Sequence, residues 1–162
     1  MLRTMILLLL VALSAAPVAA VELALRERFD AWILKAFRPE ALATVQGIRA
    51  LDVPVSENVH EYQSPHAAHA MELREFVFHG LTIYAVVDRA RPVQVWVTTI
   101  KIASPAWPLD NGLTVGQPVA ELERLPVPPK PGILTFCGVN NCLVAEEGEG
   151  RIRSLTLERY LD

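Results

Sequence analysis

The chain is poor in the residues and motifs that usually reveal chemistry. Its 162 residues include two cysteines and four histidines, and Lys and Arg are scattered among Asp and Glu without a basic run. This charge pattern offers no patch to neutralise phosphates, so nucleic acid is excluded as a partner. No glycine-rich turn could cradle a phosphate, and no serine lies in a nucleophile elbow. We therefore predict that the protein is not an enzyme and has no cofactor.

The start of the chain has the pattern of a leader. Residues 1–20 run from the basic Arg3 through an apolar segment, Met5–Leu13, to a series of small residues. This order is typical of a secretory signal peptide cleaved between Ala20 and Val21. The apolar segment is shorter than the ~20 residues that span a bilayer, so no stable membrane span is expected after cleavage. The sequence therefore predicts export to an oxidising compartment, most simply a bacterial periplasm.

The remaining residues, 21–162, fit a single α+β domain that is long enough to bury a core. Loss of Arg3 leaves 14 of the 15 basic residues against 18 acidic ones, a formal charge of −4. From Val21 to Phe37, apolar residues recur at steps of three and four, which predicts a helix packed on the core and ended by Pro39. A short second helix is predicted from Pro118 to Leu125 by the same criterion. The apolar face of the first helix comprises Val21, Leu25, Phe29, Trp32, Ile33, Ala36 and Phe37.

Strand patterns dominate the rest of the chain. ELREFVFHGLTIYAVV, with Gly80 as a break or bulge, and PVQVWVTTIKI are separated by the polar turn DRAR, which predicts an antiparallel hairpin. Both faces of the second segment are apolar, which favours a central strand covered on both sides or a bulge that switches its faces. Three further strands are predicted at 133–137, 142–146 and 151–160. The fold class is thus α+β, an antiparallel sheet covered by an N-terminal helix and a short second helix.

Two segments and two aromatic residues are harder to place. LATVQGIRAL is ambiguous between strand and short helix, and its β-branched residues favour strand. Residues 53–71 are polar and without period, which predicts a loop. Trp96 and Trp107 could line a ligand pocket, but aromatic residues of a sheet protein more often belong to the core, which is the interpretation adopted for both.

The two cysteines, Cys137 and Cys142, are separated by the four turn-forming residues GVNN. The predicted strands place them opposite each other across a hairpin, where facing Cα atoms are about 4.5 Å apart and a disulfide can form. A redox pair of the thioredoxin type favours Cys-x-x-Cys at a helix N-terminus, and a zinc site needs two further ligands. The spacing and the compartment therefore favour a structural disulfide over the redox and metal alternatives.

Three histidines, His60, His66 and His69, lie in the predicted loop beside Glu61 and Glu72. Imidazoles with a carboxylate would suit zinc or copper, which makes these histidines the weak candidates for metal ligands. A flexible loop does not preorganise ligands, and a solvated polar loop explains the same residues. We therefore predict that no metal is bound.

The stretch NGLTVGQPVAELERL, followed by a proline-containing link and three strands, resembles a module of many small uncharacterised envelope proteins of Gram-negative bacteria. Those proteins also carry an Asn-x-His segment and an aromatic-x-Gly-Leu turn, to which Asn58–His60 and Phe78–Leu81 correspond. A looser likeness extends to the β-lactamase inhibitor protein and to the small lipoprotein of the outer-membrane barrel assembly machine. Gln117 replaces the usual Ser or Asp cap, and Pro126 the glycine that often stops the helix.

This resemblance implies an exported α+β fold, and no biochemical activity comes with it. In the module, Val119, Leu122 and Leu125 are expected to pack on Leu134, Phe136, Leu143 and either Leu155 or Leu157. Two function classes remain. The first is a non-enzymatic periplasmic protein that binds another envelope protein, as an inhibitory or envelope-maintenance module, through an exposed sheet face or the 53–71 loop. The alternative is a periplasmic metal- or small-ligand-binding protein that uses the His60, His66 and His69 loop.

Overall fold

A computed structural model describes residues 19–62 and 70–160, which form one antiparallel sheet of seven strands together with several helices. The strands follow the spatial order β1-β2-β3-β4-β7-β6-β5, so the last strand of the chain lies inside the sheet, between β4 and β6. The predicted α+β class is confirmed. The strands are β1 (Ser56–Tyr62), β2 (Met71–Phe78), β3 (Leu81–Asp88), β4 (Val95–Ile102), β5 (Thr135–Cys137), β6 (Asn141–Gly148) and β7 (Arg151–Arg159). The helices are α1 (19–33), α2 (Pro39–Leu42), α3 (Val45–Arg49) and a 3₁₀ helix (Val119–Arg124).

Helix α1 packs on the sheet through the apolar face that its periodicity predicted. Phe29 and Ile33 are fully buried, and Phe37 joins the same core from the turn that follows the helix. Val21 was predicted on this face but is 59% exposed, because the helix first reaches the core at Leu25. The apolar face therefore begins one turn later than the sequence suggested.

The end of α1 also differs from the prediction. The helix stops at Ile33 rather than Phe37, because the amide of Lys35 already donates to the carbonyl oxygen three residues back, at 2.9 Å, and tightens the chain into a turn. The chain then reaches Arg38 with a positive φ of 38°, immediately before Pro39 starts α2. The α conformation is sterically disfavoured for a residue before proline, which favours an end of the helix before Arg38.

The segment LATVQGIRAL was predicted as a strand, and this prediction is wrong. It forms the end of α2 and the whole of α3, which are divided at Thr44. The Thr44 hydroxyl oxygen accepts a hydrogen bond from the Gly47 amide at 2.9 Å, which caps the first turn of α3. Val45 and Ile48 are buried in the core from the helical conformation. Tertiary packing and the threonine cap thus outweigh their β propensity.

Residues 53–71 were predicted as a loop, and this prediction is wrong for 56–62. These residues form β1, which pairs with β2 over its full length, from Ser56 opposite Val77 to Tyr62 opposite Met71. Every residue of β1 is exposed or half-buried, so the strand carries no alternation between buried and polar positions. Without that alternation the sequence offers no period for a strand. Residues 63–69 lie outside the described part of the chain.

The central strands form two successive hairpins. Gly80 is the turn between β2 and β3, not a break within one strand, and its φ of 72° favours glycine. Strands β3 and β4 pair as predicted, and their register shifts at Tyr84 and Ala85. The shift leaves Thr98 as the extra residue of β4, so that Val97 and Ile100 both point into the core. Of the two alternatives for this strand, the bulge that switches its faces is therefore present.

The C-terminal part follows the predicted order of a short helix and three strands. The short helix is of the 3₁₀ type and spans Val119–Arg124. Leu122 and Leu125 join a core with Phe136 and Leu143, while Val119 and Leu134 pack against it from partly buried positions. Both Leu155 and Leu157 are fully buried in this core. The core packing expected from the sequence is confirmed.

The two tryptophans have opposite environments. Trp107 is buried between the rings of Phe37 and Phe78, and its Nε1 donates to the carbonyl oxygen of His79 at 2.9 Å. Trp96 was also predicted in the core, but it is 37% exposed because it lies on the other face of the sheet. Only the tertiary arrangement distinguishes the two indoles.

Candidate interaction surface

The strand register sorts side chains onto two faces of the sheet. On one face the cross-strand neighbours Ile83, Ile100 and Leu157 are fully buried, and all buried apolar side chains of the described helices belong to the same core cluster. No described helix contributes a buried side chain to the opposite face, which we call the open face. The open face includes Asn58, His60, Leu73, Glu75, Tyr84, Val86, Trp96, Thr99, Lys101, Thr156, Glu158, Cys137 and Cys142.

A row of hydrogen-bonded polar side chains crosses the open face at one level of the sheet. The Asn58 amide donates to Glu75 at 2.8 Å, the Tyr84 hydroxyl donates to the other oxygen of Glu75 at 2.7 Å, and Lys101 lies 5.1 Å from the centre of the Tyr84 ring. The hydrogen bonds from Asn58 and Tyr84 lower the pKa of Glu75, and the bond to Glu75 raises the pKa of Tyr84. The partners hold these side chains in place before any ligand binds.

A small apolar patch lies next to this polar row. Leu73, Val86 and Trp96 are direct cross-strand neighbours on β2, β3 and β4. Trp96 is the accessible member, whereas Leu73 is half-buried and Val86 is almost completely buried by its neighbours. An exposed indole supported by packed aliphatic side chains beside ordered polar groups is typical of the centre of a protein interface.

A chain of ion pairs lies on the helix-covered face of the sheet, near the β1 edge. Arg49 of α3 makes two hydrogen bonds to Glu57 at 2.8 and 2.9 Å, and Arg74 bridges Glu57 at 3.2 Å and Glu72 at 2.8 Å. Arg89 completes the chain with a 2.9 Å contact to Glu72. The hydrogen bond from Arg49 lowers the pKa of Glu57, and the hydrogen bond from Arg74 lowers that of Glu72. The chain ties α3 and β1 to β2.

The predicted disulfide joins the two strands next to the β5–β6 turn. Cys137 faces Cys142 in the strand register, their Cα atoms are 4.2 Å apart, and the two sulfur atoms are bonded. Gly138 donates to the carbonyl oxygen of Asn141 at 2.9 Å and closes the turn between them. The predicted pairing of the cysteines across a hairpin is confirmed.

The turn closed by this disulfide binds a carboxylate of α1. Asp30 accepts hydrogen bonds from the backbone amides of Val139 at 2.8 Å, Asn140 at 3.0 Å and Asn141 at 2.9 Å. The Asn141 side chain adds a fourth at 3.1 Å. We call Asp30 and these three residues the Asp30 latch. It joins residues more than 100 positions apart and was not foreseen from the sequence.

A second contact holds the last turn of α1, three residues beyond Asp30. Arg159 at the end of β7 donates to the carbonyl oxygen of Ile33 at 3.1 Å, where a cation also compensates the helix dipole. Burial lowers the pKa of Arg159 to about 10. Its Nε and the Oδ1 of the cross-strand neighbour Asn141 are buried without a hydrogen-bond partner among the described residues. Together, Asp30 and Arg159 attach the last turn of α1 to the neighbouring ends of β6 and β7.

The candidate metal ligands are not brought together by the described part of the chain. His60 lies on β1 and is exposed, whereas His66 and His69 are outside the described residues. Within 19–62 and 70–160, no group of three or more His, Cys, Asp or Glu side chains could hold a metal ion. Ala20 and Val21, the predicted cleavage site, are exposed residues of α1.

A cleft of ≈ 580 Å³ lies beside α2 and α3. Its walls include Arg38, Glu40, Gly47, Leu51 and Asp110, and they contain no hydroxyl, thiol or imidazole group. Arg38 is also stacked over Trp107, with its guanidinium carbon 5.2 Å from the ring centre. The cleft thus offers no nucleophile of the serine or cysteine type next to a base.

The fold defines the protein as an α+β protein with one seven-stranded antiparallel sheet. No family model and no curated protein matches the chain. Among solved structures, a crystal structure of the uncharacterised protein YfeY from Escherichia coli is similar over 77% of this chain and 95% of that chain, with 12% sequence identity and a TM-score of 0.38. No helix in the described ranges is long and apolar enough to cross a membrane.

Proposed function

We propose that this protein is a non-enzymatic protein-binding module of the bacterial envelope, with an inhibitory or maintenance role, and that it binds a partner protein on the open face. The observation that supports this proposal best is the exposed Trp96, which stands beside the hydrogen-bonded Asn58, Glu75 and Tyr84. An indole buries a large area at a low entropic cost. Polar side chains that are already ordered lose little further freedom on binding.

The periplasm is the compartment that we propose for this interaction. The leader of residues 1–20 has the order of a signal peptide, and the bonded Cys137 and Cys142 are consistent with an oxidising environment. The partner is then an envelope protein rather than nucleic acid. Binding of a metal or small ligand by His60, His66 and His69 remains the alternative, and metal analysis of protein without an affinity tag tests it. Stoichiometric zinc or copper that is lost in His66→Ala would favour this alternative.

Site-specific photo-cross-linking in cells tests the open face. A photoreactive amino acid is placed at Trp96 or at Thr99, and the control position is Leu34, which is 50% exposed at the end of α1. We expect the first two positions to yield the same cross-linked protein, and the Leu34 position not to yield it. Cross-links from Leu34 alone, or from none of the three positions, would argue against the open face.

The identified partner is then bound to the purified protein. Trp96→Ser should weaken binding by about tenfold or more, as expected when a central aromatic residue of an interface is truncated. The matched variant Leu34→Ser removes an exposed apolar side chain of similar accessibility and should leave the affinity unchanged. Equal affinities of the two variants would contradict the proposal.

A further inference from the structure

The Asp30 latch depends on the conformation of a turn that the disulfide closes. Both carboxylate oxygens of Asp30 are engaged: Oδ2 by the amides of Val139 and Asn140, and Oδ1 by the amide and side chain of Asn141. These donors converge on one carboxylate only while the turn is tight. Cys137 and Cys142 flank this turn on both sides and hold its ends together.

The turn is attached to a short strand at the edge of the sheet. Strand β5 has three residues and is the edge strand of the sheet, so it pairs with β6 alone. Short edge elements with few neighbours are the parts of a fold that open most easily. The Gly138–Asn141 hydrogen bond, the disulfide and Asp30 all stabilise the turn.

Helix α1 therefore depends partly on the disulfide. Asp30 lies directly after the buried Phe29, and its carboxylate is the polar attachment of this stretch of α1 to the sheet. The hydrogen bond from Arg159 is made to Ile33, at the end of the helix. If the turn opens, the hydrogen bonds to Asp30 are lost while the bond to Ile33 remains.

We propose that the redox state of Cys137 and Cys142 controls how tightly α1 is held on the sheet, and that Asp30 transmits this control. The oxidised pair keeps the latch closed and α1 docked. Reduction of the pair by a dithiol widens the turn, separates the three amides and loosens the attachment of α1 at Asp30. This proposal does not rest on the proposed binding of a partner to the open face.

The reduction is a thiol–disulfide exchange with a dithiol reductant. Cys137 is half-buried and more accessible than Cys142, so the reductant thiolate attacks the Cys137 sulfur. The S–S bond breaks, Cys142 leaves as a thiolate that takes up a proton, and a mixed disulfide forms at Cys137. The second reductant thiol displaces Cys137, which is protonated in turn. Two electrons pass to the protein pair, and the reductant ends as its own disulfide.

The proposal has a reciprocal consequence. If the disulfide favours the closed latch, the closed latch must favour the disulfide by the same factor. Asp30→Asn removes the charge and leaves one acceptor oxygen, so it should lower the equilibrium constant for oxidation by about tenfold, as expected for the loss of charge-assisted hydrogen bonds. Glu27→Gln is the matched control, because Glu27 is an exposed acid on the same helix.

The experiment is a redox titration of the purified mature protein in buffers of a reduced and oxidised dithiol, with hydrogen exchange of residues 24–33 measured in both states. We expect faster exchange of these amides in the reduced wild type than in the oxidised one. The redox titration should give a lower equilibrium constant for oxidation in Asp30→Asn and an unchanged one in Glu27→Gln. Equal titrations for wild type and Asp30→Asn, or equal exchange in both redox states, would overturn the proposal. Should Asp30→Asn not fold, Asn141→Ser removes one of the four hydrogen bonds and should shift the titration in the same direction; no shift would overturn it equally.

Discussion

Gly138 lies so close to α1 that a β-carbon at this position would stand 2.7 Å from the carbonyl oxygen of Arg26. The same β-carbon would overlap the Asp30 carboxylate. Glycine is therefore needed here for the close approach of two backbones. The contact explains how the turn between the cysteines reaches the carboxylate of a helix from the other end of the chain.

Gly138→Ala tests this close approach. Either the turn or α1 must move to admit the methyl group, so we expect a loss of unfolding free energy of about 1 to 3 kcal/mol. Gly148→Ala is the control, because its β-carbon would meet the Arg153 side chain, which can swing aside. Urea denaturation of both variants measures the difference. A Gly138→Ala variant as stable as Gly148→Ala would show that the two backbones are not in contact.

Removal of the disulfide should destabilise the protein without unfolding it. The loop that the bond closes is short, so the chain-entropy model gives it about 2 kcal/mol, and we expect Cys137→Ser to cost about 1 to 3 kcal/mol. The rest of the core is large enough to keep the domain folded. Thiol counting on wild type purified without reductant should find no free thiol. After reduction, a thiol that reacts unusually fast at neutral pH would instead indicate a catalytic redox site.

The two tryptophans should differ sharply in their contribution to stability. Trp107→Ala removes a buried indole from between Phe37 and Phe78 and should cost about 3 to 5 kcal/mol. Trp96→Ala truncates an exposed side chain on the open face and should change the unfolding free energy by less than about 1 kcal/mol. Chemical denaturation measures both values. A large loss of stability in Trp96→Ala would mean that its face of the sheet is covered.

The ion-pair chain should make the protein sensitive to acid. The folded-state pKa values of Glu57 and Glu72 lie below their ordinary value of 4.5, because Arg49 and Arg74 bond to the carboxylates. A depressed carboxyl pKa contributes stability above the unfolded pKa, and this contribution is lost as the pH falls through the folded one. We expect the unfolding free energy to decrease from about pH 5 to pH 3.

The double variant Glu57→Gln/Glu72→Gln should lose part of this decrease, because neither side chain can then be protonated. Glu27→Gln is the control, since Glu27 is an exposed acid of α1 and does not belong to the ion-pair chain. Urea denaturation at pH 6, 5, 4 and 3 measures the slopes. Identical slopes for wild type and the double variant would rule out the ion-pair chain as the cause.

Export can be checked on the protein isolated from its natural compartment. The charged, apolar and small-residue order of the leader predicts cleavage between Ala20 and Val21 and recovery in the soluble periplasmic fraction. Intact-mass measurement should give a chain that starts at Val21. A mass that includes Met1, or recovery with membranes alone, would contradict the prediction.

Much of the fold was readable from the sequence, because its elements carry a local period or spacing. The apolar face of α1 around Phe29 and Ile33 followed from steps of three and four, and the β3–β4 hairpin from two β-rich segments beside the turn DRAR. The cysteine pair followed from four turn residues between two strands. In each case the residues that determine the structure lie close to one another along the chain.

The sequence by itself could not decide the features that depend on contacts between residues far apart in the chain. Strand β1 is a strand because β2 lies beside it, and its exposed residues show no period. Trp96 and Trp107 are equally apolar in the sequence, and the register alone places one on the open face. Asp30 flanks the apolar face of α1 like any solvated acid, and its role exists only because the tertiary structure brings the amides of residues 139–141 to it. The sequence alone does not show which backbone amides will bind a given carboxylate, because only the packed chain brings them together.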